Sequence, residues 1–215
     1  MIGHSPEDAE HIWIVTGPAG CGKTTVAKFL AWKLSLPYIE GDDHHPKANK
    51  DKMSNGIALT DADRWDWLIT LRELAVDKLT TPSSDQSEHG QNNTRGVIIT
   101  CSALKHKYRD VIRVAAYNHP HIQIHFIYLK ANEALLQQRV ASRQGHYMKS
   151  GMVHSQFENL EEPDHEGDVL IVDVDAAPEV VQEKALEVVK AKLKEYEPED
   201  ILESELESQG LTQGS

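Results

Sequence analysis

The sequence predicts a three-layer α/β/α domain built on a five-stranded parallel sheet. Three observations predict it. Short apolar runs alternate with longer segments of helical periodicity along most of the chain. This is the pattern of parallel strands joined by right-handed helical crossovers. One run, Val97-Ile98-Ile99-Thr100-Cys101, is continuously β-branched or apolar, as a strand covered on both faces must be. Finally, the first run passes through a glycine-rich turn directly into a helical segment, a unit that opens many such sheets. No internal repeat is visible.

Residues 1–10 read as a frayed polar lead-in, and 11–16 as the first strand. Residues 25–34 are rich in helix formers and stop before Pro37, giving the first helix. Residues 37–40 make a short second strand, ending in the loop Gly41-Asp42-Asp43-His44-His45-Pro46. In open parallel sheets that C-terminal edge is where ligands sit. Residues 47–56 predict a short polar helix stopped by Asn55-Gly56. Thr60-Asp61-Ala62-Asp63 has capping-box spacing and opens a helix over about 61–79. Leu68, Leu71, Ala75 and Leu79 form its buried stripe. Trp65 and Trp67, two apart, point to different faces, so at least one belongs to the core. Residues 80–95 read as an exposed loop without chemistry.

Ser102-Ala103-Leu104-Lys105 leads from the third strand into a helix to about residue 116. Residues 122–129 are the fourth strand. Asn132 caps a helix running to about 142, and 143–154 read as irregular. Ser155-Gln156-Phe157-Glu158 repeats the capping-box spacing and is expected to start a short helix ended by Pro163. Residues 169–173 are the fifth strand. Pro178 suits the first turn of a last helix, with Val181, Ala185 and Val188 inward. From Glu195 the chain is acidic and polar and is expected to be a solvated or disordered tail.

Composition narrows the function. The 215 residues suit one domain with a tail, and 40% hydrophobic with 26% charged residues is ordinary for a soluble protein. No apolar run approaches the ~20 residues of a membrane span. The first ten residues lack the apolar core of a signal peptide. Two cysteines, Cys21 and Cys101, form neither a disulfide framework nor a C-x-x-C pair. A cytoplasmic setting is the expectation. A formal charge of −12 argues against general nucleic-acid binding. It also requires that any anionic ligand be gathered by local cations.

The chemistry begins at Gly17-Pro18-Ala19-Gly20-Cys21-Gly22-Lys23-Thr24. Every fixed position of G-x-x-x-x-G-K-[ST] is present, between a strand and a helix as the motif requires. Backbone N–H groups of such a loop and the helix N-terminus cradle phosphates. Lys23 would reach the β- and γ-phosphates, and the Thr24 hydroxyl would bind Mg²⁺. The fold is therefore of the P-loop NTPase type. Its nucleotide contacts are expected from Gly17, Ala19, Gly20, Cys21, Gly22, Lys23, Thr24 and Thr25.

A P-loop alone does not separate a switch, a motor and a small-molecule kinase. Asp42 and Asp43 follow the second strand, where a carboxylate could accept from a polyol or take the proton of an attacking hydroxyl. His44 and His45 lack partners at zinc-site spacing, so a substrate hydrogen bond is the expected role for one of them. Arg64, Lys105 and Arg109 stand near helix starts around the ligand edge and could hold a carboxylate or phosphate. Arg139 and Arg143 flank the end of the fourth major helix. Either could be the cation that a closing lid brings to a transferring phosphoryl group. No acidic residue ends the third strand, so Mg²⁺ is expected to rest on Thr24, phosphates and water, with Asp42 through water.

Over about residues 13–192 the chain resembles the small P-loop gluconokinases, relatives of shikimate kinase and the nucleoside-monophosphate kinases. The resemblance rests on Glu40-Gly41-Asp42 with His45-Pro46 and Lys52-Met53, and on Leu59-Thr60-Asp61-Ala62-Asp63-Arg64-Trp65. It rests also on Cys101-Ser102-Ala103-Leu104-Lys105 with Tyr108-Arg109-Asp110, on Arg143-Gln144-Gly145-His146-Tyr147-Met148, and on the run from Ser155 to Pro163. It implies ATP-dependent, Mg²⁺-assisted phosphorylation of D-gluconate on its 6-hydroxyl, in a cytoplasmic homodimer. It implies a kinase domain over 1–194 with an acceptor-binding region at about 42–66 and a lid at about 143–163, followed by the tail at 195–215. Catalytic roles fall to Lys23, Asp42 and Arg143. Acceptor contacts fall to Asp42, His45, Arg64, Lys105, Arg109 and His146. Adenine is expected against Arg139 and the turn Asp175-Ala176-Ala177. Two rival readings are the same fold acting on shikimate or a nucleoside monophosphate, and a nucleotide-binding regulator that performs no transfer.

Overall fold

The computed structural model describes residues 9–81, 95–141 and 150–197. β1 (Glu10–Thr16) runs through the glycine loop into α1 (Lys23–Leu34). β2 (Tyr38–Ile39) ends in a 3-10 turn at Gly41–His44, followed by α2 (Lys47–Ser54) and α3 (Asp61–Thr80). Then come β3 (Arg95–Thr100), α4 (His106–Asn118), β4 (Ile122–Lys130) and α5 (Glu133–Ala141). α6 (Ser150–Glu158), β5 (Val169–Asp173) and α7 (Pro178–Lys194) complete the order.

The five strands are parallel, in the order β2-β3-β1-β4-β5. β1 is central, with Ile14 opposite Ile99 on one side and Phe126 on the other. The chain moves to one side of β1 for β2 and β3 and to the other for β4 and β5. The crevice at that change of direction is the ligand site of such sheets, and the glycine loop leaves β1 there.

Alternation along the strands divides the core. Trp13 and Val15 join Val26 and Leu30 of α1 and Val181, Ala185 and Val189 of α7. Ile12 and Ile14 face the other way, onto Leu68, Leu71 and Ala75 of α3 and Tyr108 and Ile112 of α4. With both faces covered, every residue of β1 is buried, which is why its sequence shows no polar alternation.

The capping box at Thr60 forms: the Thr60 hydroxyl accepts from Asp63 N–H and the Asp63 carboxylate accepts from Thr60 N–H at 2.8 Å. Leu68, Leu71, Ala75 and Leu79 are buried as the stripe predicts. Asn132 Oδ1 accepts from Leu135 N–H at 2.8 Å at the start of α5, and Pro178 occupies the first turn of α7. Three expectations are corrected. Ser155-Gln156-Phe157-Glu158 does not start a helix; it is the last stretch of α6, which begins at Ser150. Residues three apart also share a face inside a helix, so the spacing did not identify an end, and buried Val153 already anchors the preceding turn. Residues 150–154, read as irregular, are the first part of the same helix, whereas Val188 of α7 packs half-buried against the core beside Val189, as expected. Glu10 belongs to β1 and pairs with Arg95 across the strands at 2.8 Å. The expected loop at 80–95 falls mostly outside the described residues, as do 142–149 and the tail beyond 197. Among the described residues no helix is long and apolar enough to cross a membrane.

Candidate active site

The C-terminal ends of β1, β2 and β3 border an open cleft. Ala19 and Lys23 of the glycine loop line it, with Asp42 and His45 after β2 and Arg64 from α3. Met53, Ala58 and Leu59 supply an apolar wall, Ser102 and Leu104 the floor behind β3, and Ser155 and Gln156 of α6 with Asn159 just after it the roof. The glycine loop turns because Gly17, Gly20 and Gly22 adopt positive φ. At Gly17 a Cβ would stand 3.0 Å from the Leu129 carbonyl and from Cys21 Sγ, so only glycine fits there. Lys23 Nζ donates to the carbonyls of Gly17 and Pro18 at 2.9 and 3.0 Å, which folds the ammonium over the loop. Thr24 and Thr25 are exposed at the helix start. Cys21 is buried, and burial pushes its thiol above the ordinary range. Its side chain is loop packing, so a phosphate could meet only its backbone.

The carboxylate beside the loop comes from β2. Glu40 Oε2 accepts from the Thr24 hydroxyl at 2.9 Å and from the Tyr38 hydroxyl at 2.5 Å. The Thr100 hydroxyl, at the end of β3, donates to Glu40 Oε1. Burial alone would raise the Glu40 carboxyl, but hydrogen bonds from Thr100, Tyr38, Thr24 and the Asp42 backbone outweigh it and hold it low. Glu40 is therefore an ionised carboxylate in contact with the motif's hydroxyl. The acidic residue that was missing from the end of β3 is supplied by the neighbouring strand, with Thr100 as its support. Sequence reasoning assigned Glu40 no role; its signal was an acidic residue closing a short apolar strand.

The turn after β2 is locked from both sides. Gly41 N–H donates to Thr100 Oγ1 at 2.9 Å, and Trp67 Nε1–H donates to the Gly41 carbonyl at 2.8 Å. Trp67 is thus both core and support of the site, while Trp65 is half-buried, edge-on to Tyr108. Asp42 projects into the cleft mouth with its side chain largely exposed. Partial desolvation by the cleft walls raises its carboxyl above the ordinary range; Lys23 opposes this, and Glu40 and Asp43 add to it. His45 is buried and stacked on Trp67, with centroids 4.0 Å apart and planes 17° apart. Its Nδ1 lies 3.5 Å from Asn49 Nδ2. Burial, then Arg64 and Lys50, lower its pKa to about 4. His45 is therefore neutral near pH 7. As a neutral ring it can share a hydrogen bond with a ligand but carries no charge to offset one.

The three candidate cations separate. Arg64 lines the cleft. Its Nη1 donates to the carbonyls of Leu59 and Thr60, and its guanidinium lies 5.6 Å from the centre of the Tyr108 ring. Lys105 is not among the lining residues; its Nζ donates to Asp61 at 3.1 Å, where the Lys107 ammonium and the Tyr108 hydroxyl also donate. Arg109 is 1% exposed and is not among the residues lining the cleft. Its Nε meets Glu166 at 2.8 Å, Nη1 donates to the Ala103 carbonyl at 2.9 Å, and Nη2 to the Glu161 carbonyl at 3.0 Å. The expected substrate role of Arg109 is corrected: with a second bond from Nη2 to Glu166, four of its five donors are spent inside the fold. Position near a helix start did not reveal which face the side chain takes.

Arg139 Nη2 donates to the Val174 carbonyl at 2.8 Å, beside the turn at 175–177 where adenine was expected. Arg143 and His146 lie outside the described residues. Gln156, not singled out from the sequence, reaches the glycine loop and accepts from Ala19 N–H at 2.6 Å. Among the described residues no group of three or more His, Cys, Asp or Glu side chains is arranged to hold a metal. Thr24 and Glu40 instead form a small all-oxygen set.

Residues 12–163 match a family model described as an AAA domain. The chain is 43% identical over 187 residues to a probable gluconokinase of Schizosaccharomyces pombe, covering 86% of this chain and 91% of the relative. It is 37% identical over 181 residues to the thermoresistant gluconokinase of Escherichia coli, covering 84% and 94%. Among solved structures, a gluconokinase from Sinorhizobium meliloti superposes with a TM-score of 0.70 at 32% identity, covering 89% of this chain and 97% of that one.

Proposed function

The chain belongs to the gluconokinase family of ATP-dependent kinases, and we propose that its cleft phosphorylates the 6-hydroxyl of D-gluconate, giving 6-phospho-D-gluconate for the pentose phosphate pathway. The observation that carries this reading is the convergence of Lys23, Asp42 and Arg64 on one cleft. A phosphate-binding cation, a proton acceptor and a carboxylate-binding cation are the three groups such a transfer needs.

The loop amides and Lys23 bind the β- and γ-phosphates. Asp42 accepts the proton of the 6-hydroxyl as it attacks; its raised pKa makes it a stronger base than a free aspartate. Arg64, with Nη1 fixed by two carbonyls, receives the gluconate carboxylate. Neutral His45 shares a hydrogen bond with a substrate hydroxyl. The donor set at Thr24 and Glu40 is all oxygen, with a charged carboxylate behind the hydroxyl, and fits Mg²⁺. Mg²⁺, when bound there, supplies charge neutralisation on the phosphates. Arg143 is assigned to the lid, spreading charge on the transferring group, and His146 to the acceptor; Arg139 is assigned to adenine. Lys105 and Arg109 receive no substrate contact. The kinase unit is taken as residues 1–194, with the acceptor region at 42–66, the lid at 143–163 and a tail beyond. Both cysteines are free and buried, consistent with a cytoplasmic setting. The expected homodimer is checked by sedimentation.

The test is ADP release from Mg-ATP with one acceptor at a time: gluconate, other aldonic acids, shikimate and nucleoside monophosphates. Release with gluconate, abolished by Lys23→Ala, is the expected result. Release with shikimate or a monophosphate instead would void the acceptor assignments at 42–66 and keep the phosphate site.

A further inference from the structure

The lid helix meets the phosphate loop through a short polar contact. Ala19 N–H donates to Gln156 Oε1 at 2.6 Å, across 137 residues of chain. Ala19 lies inside the glycine loop, whose inward N–H groups are the phosphate ligands of this motif. An N–H carries one hydrogen, so a second acceptor is gained only as the first is weakened. The carboxamide oxygen of Gln156 thus holds one N–H of the loop that cradles phosphate in this motif.

The anchoring of α6 makes this contact separable from the rest of the lid. Just after the helix, Glu161 N–H donates to the Leu104 carbonyl at 2.9 Å. The Glu161 carboxylate accepts from His106 N–H at 2.7 Å, and its carbonyl accepts from Arg109 at 3.0 Å. These bonds fasten the segment just after α6 to the start of α4. Gln156 sits five residues before that anchor, where a small rotation of α6 carries its side chain on or off the loop. A glutamine suits such a contact: it accepts without a charge that would repel phosphate, and its NH₂ group is a donor that phosphate can use.

We propose that Gln156 is a positioning residue that couples the lid to the phosphate loop, its carboxamide oxygen competing with nucleotide phosphate for the Ala19 N–H. Nucleotide occupancy and the position of α6 are then one linked equilibrium, each biasing the other by the same free energy. When phosphate takes the amide, Gln156 is released toward the space shared with Asp42 and Ser155, where its NH₂ group meets the transferring phosphoryl oxygens. This rests on the kinase reading of the cleft.

The test uses the full chain and a Mg-complexed, non-hydrolysable ATP analogue, titrated by calorimetry without gluconate. Gln156→Ala removes the competitor and is expected to tighten binding by roughly two- to tenfold, the worth of one neutral hydrogen bond. Gln156→Met keeps the side-chain length without the oxygen acceptor and is expected to shift the same way. Gln156→Glu accepts more strongly and repels phosphate, and is expected to weaken binding by about tenfold or more. With gluconate and ATP, the Ala and Met variants should lose kcat while their nucleotide affinity rises. A merely structural role would not tighten binding, so unchanged or weakened affinity in both the Ala and the Met variants overturns the proposal. A wild-type chain that turns over no gluconate removes the substrate reading and leaves the affinity shifts standing. Absent shifts in a gluconate-active enzyme remove the role of Gln156 alone.

Discussion

Replacing Arg109 with alanine should destabilise the fold and spare gluconate recognition. The guanidinium is 1% exposed and binds Glu166, itself 14% exposed in its side chain, and two backbone carbonyls. Removing one partner of a buried ion pair typically costs about 3–5 kcal/mol, because the other charge stays behind. Glu166 retains Arg113, so the lower end, about 3 kcal/mol, applies. At this chain length each kcal/mol moves Tm by roughly 2–4 °C, giving a fall of roughly 6–12 °C. Urea melts should show a lower midpoint at unchanged m-value, and KM for gluconate, measured well below the melt, should stay within about threefold (0.65 kcal/mol or less). The effect also has a pH signature. Burial works to raise the Glu166 carboxyl, yet Arg109 and Arg113 hold it at about 2. Its contribution is complete above the unfolded glutamate value of about 4.3 and is lost as pH falls toward 2. The stability gap between wild type and variant should therefore narrow below pH ~4.3. A variant with normal Tm and a tenfold higher KM would refute the buried reading and return Arg109 to the substrate.

Asp42→Asn should lower kcat by about 10²–10⁴, the usual range for a lost general base, with nucleotide affinity nearly kept; unchanged kcat removes Asp42 as the proton acceptor. At Gly41 a Cβ would lie 2.0 Å from the Thr100 carbonyl oxygen and 3.3 Å from Leu71 Cδ1. Backbone cannot rotate away, so Gly41→Ala should cost more than ~3 kcal/mol by strain at the β2–β3 junction. Gly167→Ala, with nothing within 4 Å, should be near neutral in the same thermal melt, and equal melts would refute the packing argument. Burial lowers the pKa of His11 to about 4 and of His125 to about 3, with His11 and Lys192 adding to the latter. Unfolded histidines take protons below about pH 6.5 and these two do not, so stability should fall as pH drops from 6.5 toward 4, by up to about 1.4 kcal/mol per unit for each. His125→Phe keeps a ring against Trp13 and should flatten that slope; an unchanged slope refutes the assignment.

The legible parts of this sequence were those fixed by neighbours in sequence. The glycine loop, the Thr60 capping box and Pro178 each act within a few residues, so their spacing carried their structure. The continuous apolar strands were legible because both sheet faces are covered. What escaped was the direction of side chains set by distant partners. Arg64, Lys105 and Arg109 look alike in sequence, each a cation near a helix start. Arg64 reaches the cleft because Leu59 and Thr60 carbonyls hold it there. Lys105 is drawn to Asp61, 44 residues earlier. Arg109 is drawn inward by Glu161 and Glu166, more than 50 residues later. The false helix start at Ser155 fails for a related reason: the four-residue pattern is local, but the burial of Val153 that extends the helix backwards is a tertiary fact.

Glu40 shows how such distant pairing builds chemistry from a register. β2 and β3 pair through only two rungs, Tyr38 with Ile98 and Ile39 with Ile99. Continuing one step past the ladder brings Glu40 and Gly41 to Thr100, whose hydroxyl donates to the carboxylate and accepts from the glycine N–H. One residue of slip would send Glu40 to the opposite face, away from Thr24, and its hydrogen bonds to Thr24 and Thr100 would go together. The two strands can be this short because the site itself completes their pairing: Trp67 holds the Gly41 carbonyl and Tyr38 the Glu40 carboxylate. The acidic partner of the phosphate loop and the end of the sheet are thus one structure, so substitutions at Thr100 should disturb metal-dependent activity and the packing of β2 together. Thr100→Val, which keeps the shape and removes the hydroxyl, should raise the Mg²⁺ concentration needed for half-maximal turnover and lower Tm in parallel. A change in one without the other would separate the site from the sheet edge.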